Sequence, residues 1–320
     1  MSSEHIGVSS RRRRPLASRS KRAVLPRASE EKAHCLHARA KNRKDDRGEA
    51  AMQVTVPDTT GASIADRRPP NSVGSERYTE TTMERAVRIA ETRLLSPSVR
   101  ALSLEIGDRA GVPFSFVAGQ WLNLYVPTQG GVEKRAYSIA SAPTERRVEL
   151  AITQVAEGVV SPRLHELPEG AELRCDGPHG FFTRNAELRR TPALFVATGT
   201  GLCPLRSMLA ELFTEPAPEH APVTLLFGVR TQADILWREQ LEGWAAREPG
   251  FRLEVTLSRP EPSWSGRTGY VQAHVRELAE QLGAPHVFIC GLSRMVAEVR
   301  AVCKTELRYD RKRIHSERYD

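Results

Sequence analysis

The 320-residue chain predicts two folded domains of different class. Residues 78–187 read as an antiparallel six-stranded β-barrel, and residues 188–320 as an α/β domain built on a parallel sheet. Two patterns carry this reading. Between about Thr81 and Arg184, short apolar runs are separated by Gly and Pro, with a count and spacing that suit a small barrel. From Ala193 onward, apolar strand-like runs alternate with amphipathic helical ones, the signature of βα units on a parallel sheet.

In order, the barrel strands are AVRIAETRLL, VRALSLEI, QWLNLYVP, KRAYSIAS, VELAITQV and AELRCDG, with a short helix at SPRLHEL. The α/β units are ALFVATG then LRSMLAELF, VTLLFGV then WREQLEGWAARE, FRLEVTLS then VQAHVRELAEQL, and HVFICG then RMVAEVRAVCKTEL. The turn-prone stretch Asn185–Thr191 is the expected junction.

The formal charge of +8 is misleading about the folded part. Of 47 basic and 39 acidic residues, 17 and 9 lie in residues 1–77, which leaves 30 of each beyond. Residues 1–77 therefore predict a disordered basic tail, poor in apolar residues and without sustained periodicity. A neutral folded part argues against nucleic acid as a partner. A module that uses the tail on nucleic acid or an acidic protein is the rival reading from another class. The five cysteines form no C-x-x-C pair, so zinc and disulfide frameworks are disfavoured and no metal site is expected. A reducing, cytoplasmic setting and a monomeric chain are expected. No apolar run reaches the ~18 residues of a membrane span.

Particular strings point to chemistry. RAYS places Arg135, Ala136, Tyr137 and Ser138 on one strand, and alternation gives Arg135 and Tyr137 a common face. GVVS, from Gly158 through Val160 to Ser161, precedes a helix; Ser161 is the expected N-cap and Pro162 the first helical residue. ATGTGLCP runs from a strand through Thr198, Gly199, Thr200 and Gly201 into a helix, with Pro204 in its first turn. Backbone N–H groups at such a turn suit a phosphate. Cys290 and Gly291 end the last apolar strand, where open α/β sheets take ligands.

These strings, with FVAGQW, DGPHGFF, LSRPEPSWSGRTGY and the terminal HSERYD, resemble the ferredoxin–NADP reductase superfamily over residues 80–320. Ala118 stands where that family usually has Pro, Cys203 where it usually has Ala, and Asp320 follows the terminal Glu-x-aromatic pattern. The resemblance implies FAD and NADP, with NAD possible, and hydride transfer between them. It implies Arg135 on the FAD pyrophosphate, Tyr137 against the flavin, and Ser138 at its N5 edge, with Ala136, Gly158, Val160 and Ser161 completing the flavin site. Thr198, Gly199, Thr200, Gly201, Pro204 and Gly291 would hold the second nucleotide, with Met295 packing there and Cys290 at the nicotinamide. Ser258, Arg259, Arg267 and Tyr270, with Arg230, would take the 2′-phosphate and adenine. Glu317 and Tyr319 would form a proton relay with Ser138 and cover the flavin. Ser138, Cys290 and Glu317 are thus the expected catalytic residues, and a ferredoxin or flavodoxin-type carrier the expected partner. The enzymatic alternative is an NAD(P)H-dependent reductase component of an oxygenase.

Overall fold

The structure, a computed structural model, describes residues 84–214 and 220–319. The expected basic tail lies outside the described residues. The barrel strands are β1 (Arg85–Ser96), β2 (Val99–Ile106), β3 (Trp121–Thr128), β4 (Gly131–Ser138), β5 (Val148–Thr153) and β6 (Glu172–His179), with helix α1 (Val160–Glu166) between the last two. They pair antiparallel in the order β4-β3-β6-β1-β2-β5. A bridge between Ile139 and Leu150 joins the two edges, so the sheet closes on itself. Closure removes unpaired edge groups, which is why six short strands suffice.

The second half comprises α2 (Ala186–Arg189), β7 (Ala193–Thr198), α3 (Leu202–Thr214), β8 (Val223–Val229), α4 (Arg238–Arg247), β9 (Phe251–Leu257), β10 (Arg267–Thr268), α5 (Val275–Gln281), β11 (His286–Leu292), α6 (Ser293–Thr305) and β12 (Ile314–Tyr319). Its six strands are all parallel, in the order β10-β9-β8-β7-β11-β12. Two features were not specified by the sequence reading. The junction is occupied by α2, whose Asn185 side chain accepts from the Leu188 N–H at 2.9 Å. The terminal IHSERY stretch is strand β12, in register with β11 along its whole length, which orders the terminus that carries Glu317 and Tyr319.

Both sheets lie in one compact unit. Strands β2 and β5 explain how. Leu102, Leu104, Val148, Leu150 and Ile152 fill the barrel interior. Their alternates Val99 and Ala151 instead join a second core with Phe195, Leu205, Met208 and Phe288 of the α/β half. Side chains on successive strand residues point to opposite faces, so these two strands serve two cores at once. The apolar run of β5 is therefore buried on both sides rather than half-solvated.

Candidate active site

A cleft of about 340 Å³ opens where the two halves meet. One wall is the end of β4, residues Arg135–Ser138. Another is the end of β5 with the start of α1, from Ala151 to Ser161. Thr200, Cys203 and Tyr319 of the α/β half close it. Along β4, Arg135 and Ala136 are exposed, Tyr137 is half-buried and Ser138 is buried. The Arg135 guanidinium donates to Glu133 at 3.0 Å and to the Lys134 carbonyl at 2.8 Å, and half of it remains exposed.

The α1 start departs from the sequence reading. The helix begins at Val160, its cap position is Val159, and no side chain caps it. Ser161 Oγ instead accepts from the Val155 N–H at 3.0 Å. Pro162 consequently stands third in the helix, where its missing N–H still costs no intrahelical bond. The uncapped N–H groups are left at the cleft.

The Gly199–Gly201 turn is one 3₁₀ turn leading into α3. Gly199 has φ +53°, and a Cβ there would meet nothing within 4 Å, so its backbone is open to a ligand. Gly201 is required for packing. A Cβ there would lie 2.3 Å from the Cys290 carbonyl oxygen, so only glycine lets the turn sit against β11. Gly291, at φ +150°, is equally tight: its Cβ would lie 2.3 Å from Thr198 Oγ1 and 2.6 Å from Met295 Cε. Thr198 Oγ1 is buried without a hydrogen-bond partner. A buried hydroxyl in that state has an unmet polar requirement.

Beside this turn, Cys290 is fully buried on β11, opposite Ala197 on one side and Glu317 on the other. Burial pushes its thiol pKa well above the ordinary range, so the thiol is neutral and no thiolate nucleophile. Glu317 and Tyr319 are two residues apart on β12 and share a face. Tyr319 donates to Ser138 Oγ at 2.6 Å, and Ser138 donates to Glu317 Oε1 at 3.2 Å. Three side chains from both halves thus form one hydrogen-bonded chain. Burial raises the Glu317 pKa, with the Ser138 bond opposing.

A second cluster lies at the ends of β8 and β9. The Ser258 N–H bonds the Val229 carbonyl at 3.0 Å and the Arg259 N–H bonds the Arg230 carbonyl at 2.8 Å. The Arg259 and Tyr270 side chains are exposed. Arg230 is largely exposed and pairs with Asp234 at 3.2 Å. Arg267 is different. Its Nε donates to Glu254 at 2.6 Å, and Nη1 and Nη2 each reach Glu277 at 2.8 Å. These partners raise the Arg267 pKa, and Arg267 in turn draws Glu277 down to about 2. The guanidinium that the sequence assigned to a phosphate is already occupied by two carboxylates.

Sequence reasoning did not single out Ala151, Thr153 or Val155 as cleft-lining, nor the bond between Thr153 and Thr200 hydroxyls at 3.4 Å. Alternation in VELAIT puts Ala151 and Thr153 on the face opposite Val148, Leu150 and Ile152, and nothing in the sequence says that this face meets a cleft.

Comparison with known proteins agrees with this layout. Residues 86–183 match the oxidoreductase FAD-binding domain family and residues 195–301 the oxidoreductase NAD-binding domain family. The class is a flavin- and nicotinamide-dependent oxidoreductase. Ferredoxin–NADP reductase B of Sorangium cellulosum (strain So ce56) is 52% identical over 240 residues, covering 73% of this chain and 96% of that protein. The phenol hydroxylase P5 protein of Acinetobacter pittii (strain PHEA-2) is 32% identical over 237 residues, 72% of this chain and 64% of that one. Among solved structures, a ferredoxin–NADP+ reductase from Plasmodium falciparum with 2′P-AMP aligns with TM-score 0.62 at 22% identity, covering 75% of this chain and 97% of that one. The Amycolatopsis cytochrome P450 reductase GcoB aligns with TM-score 0.63 at 27% identity, over 73% and 69%. The chain belongs to the ferredoxin–NADP reductase superfamily.

Proposed function

We propose that this enzyme exchanges a hydride between NADP(H) and FAD and passes single electrons to or from a ferredoxin or flavodoxin-type carrier. The carrying observation is the chain Tyr319–Ser138–Glu317, which joins the flavin-domain strand to the nicotinamide-domain sheet at the mouth of one cleft. The 52% identity to a ferredoxin–NADP reductase supports the choice of carrier and cofactor.

The residues present fit both groups. The half-exposed Arg135 guanidinium and the uncapped α1 start supply donors for a flavin pyrophosphate, and Tyr137 supplies a ring beside them. Ala136, Gly158, Val160 and Ser161 shape the same walls. For the dinucleotide, the open backbone at Gly199 and Thr200 is the phosphate seat, with Gly201 and Pro204 holding the turn against β11. The orphaned Thr198 hydroxyl is a ready partner for a polar group entering beside Gly291. When bound, flavin and nicotinamide supply the redox chemistry, a hydride exchange that the flavin divides into single electrons.

The protein's own contributions are positional and protonic. Cys290, buried and neutral between β7 and β12, and Met295 back Gly201 and Gly291 on the nicotinamide side. Ser138 accepts from Tyr319 while donating to Glu317, so a proton can be held at the Glu317 carboxyl, whose burial raises its pKa. The exposed Arg259 and Arg230, with Ser258 and Tyr270, form the 2′-phosphate and adenine seat. Arg267, held by Glu254 and Glu277, braces that seat instead of binding in it.

One chain supplies both walls of the cleft, which supports a monomer. The described cysteines Cys175, Cys203, Cys290 and Cys303 are free and buried, in keeping with a reducing cytoplasm. Among the described residues no helix is long and apolar enough to cross a membrane. The second reading, a reductase component of an oxygenase, is favoured by the resemblance to the phenol hydroxylase P5 protein. Anaerobic titration separates them. The absorbance of the FAD-loaded protein is expected to bleach with NADPH at far lower concentration than with NADH, and the reduced protein then to reduce ferredoxin. Preference for NADH, or no turnover with any ferredoxin or flavodoxin, moves the enzyme to the oxygenase reading.

A further inference from the structure

Outside the cleft, a heavily bonded polar group at the domain junction is Arg206. It lies on α3, five residues beyond Gly201, and its residue is only 3% exposed. Its Nη1 donates to the Ala140 carbonyl at 2.7 Å, Nη2 meets Glu149 Oε2 at 3.2 Å, and Nε donates to Gln240 at 2.7 Å. The guanidinium carbon sits 4.5 Å from the Trp237 ring centre. Trp237 in turn donates from its indole N–H to the other Glu149 oxygen at 3.1 Å. Arg93 pairs with that same oxygen. The neighbouring Ser207 donates to the Ser141 carbonyl at 2.6 Å, and Ser141 Oγ accepts from the Glu149 N–H at 3.0 Å.

The connectivity matters more than the count. Ala140 is two residues past Ser138, and α3 grows directly from the Gly199–Gly201 turn. One guanidinium therefore ties the flavin-domain strand to the helix that follows the dinucleotide turn. Trp237 holds a left-handed backbone, φ +48°, that a bulky residue adopts only where its surroundings impose it. A buried ion pair is a poor way to gain stability, because its desolvation offsets its attraction and an apolar pair holds a junction as well. A planar fork bonded in three directions does something an apolar contact does not: it fixes angle and register.

We propose that Arg206 is a positioning residue for hydride transfer, setting the separation and angle between the strand end that carries Ser138 and the Gly199–Gly201 turn by bridging Ala140, Glu149 and Trp237. The proposal rests on the hydride-transfer reading above. Its consequence is a selective defect. Without Arg206 each half keeps its own ligand contacts, and the shared core still joins the halves, but the bonds that fix their angle at Ala140 and Glu149 are lost.

The test uses full-length FAD-loaded Arg206→Met and Arg206→Lys. Flavin content and the NADP+ Kd by calorimetry are expected within about threefold of wild type, since no binding contact is removed. The limiting rate of flavin reduction at saturating NADPH is expected to fall roughly ten- to hundredfold, the cost of misplacing reactants by about 1 Å. Lysine, a point charge that cannot span three partners, should recover only part of it. In the cofactor-free protein, amide exchange at Ala140 and Glu149 is expected to accelerate. A limiting rate at the wild-type level overturns the proposal, as does a rate loss matched by equal loss of flavin or NADP+ affinity. If Arg206→Met fails to fold, Trp237→Phe decides: it keeps a ring beneath the guanidinium and removes only the bond to Glu149. A slowed limiting rate with full flavin supports the bridge, and an unchanged rate overturns it. A wild-type flavin that neither NADPH nor NADH bleaches overturns the hydride-transfer reading itself; a bleached wild type with an unaffected Arg206→Met overturns the positioning role alone.

Discussion

Replacing Arg259 and Arg267 separately by alanine should give opposite phenotypes, although both arginines lie in the stretch between β9 and α5. Among the described residues the Arg259 side chain is exposed and has no hydrogen bond or ion pair to lose. Its removal should leave stability within about 0.5 kcal/mol. If it meets the 2′-phosphate, one charge-assisted contact of ~1.5–3 kcal/mol disappears for NADPH only. The NADPH-over-NADH ratio of kcat/KM should drop about ten- to a hundredfold, mostly through KM. Arg267 is only 19% exposed and spends Nε, Nη1 and Nη2 on Glu254 and Glu277. Its loss removes a charge-assisted bond from the mostly buried Glu254 carboxylate and leaves it Arg252 as partner, costing about 1–3 kcal/mol. At roughly 2–4 °C per kcal/mol for a domain of this size, Tm should fall by several degrees. The cofactor ratio should stay within about twofold. Steady-state kinetics with both nucleotides, beside thermal melting of each variant, reads both effects. An Arg267→Ala protein of normal Tm that has lost its NADPH preference would refute the reasoning, as would an Arg259→Ala defect equal for both cofactors.

Three further outcomes are expected. Arg135→Ala should purify largely without flavin, its pyrophosphate contact being worth ~1.5–3 kcal/mol; the ratio of flavin to protein absorbance at dilute protein is the check, and full occupancy contradicts the role. Cys290→Ser should keep its flavin but transfer hydride more slowly at saturating NADPH, because a polar hydroxyl replaces a fully buried thiol beside the Gly201 turn; stopped-flow reduction at the wild-type rate would reduce Cys290 to core packing. Glu317→Gln should stabilise the cofactor-free protein increasingly as pH rises. Burial raises the folded-state pKa, so the folded protein retains a proton that the unfolded chain has released above the ordinary carboxylate value. That contribution is present at low pH and lost as pH rises through the raised pKa, and the neutral amide escapes the loss. A Tm difference that does not widen with pH from about 4.5 upward would show that Glu317 is solvated instead.

What the sequence determined by itself was local. Strand period, Gly and Pro punctuation, and βα alternation depend on near neighbours, and they specified the barrel strands, the four βα units and the Gly199–Gly201 turn. The same locality explains the errors. A serine ahead of a proline looks like a cap, yet Ser161 turned back to Val155 because the chain enters α1 earlier than its residues announce. Tertiary structure decided everything that depends on distant partners. Glu317 meets Ser138 across 179 residues, and Arg206 meets Ala140 across 66. Strand β12 exists because β11 offers it a parallel edge, and no turn signal or strict alternation in HSERY reports that edge. Arg267 illustrates the limit most clearly. A guanidinium is equally suited to a phosphate or to carboxylates, and only the folded position of Glu254 on β9 and Glu277 on α5 determined which it holds. Residue type sets what a side chain can bind; burial and the approach of remote elements set what it does bind.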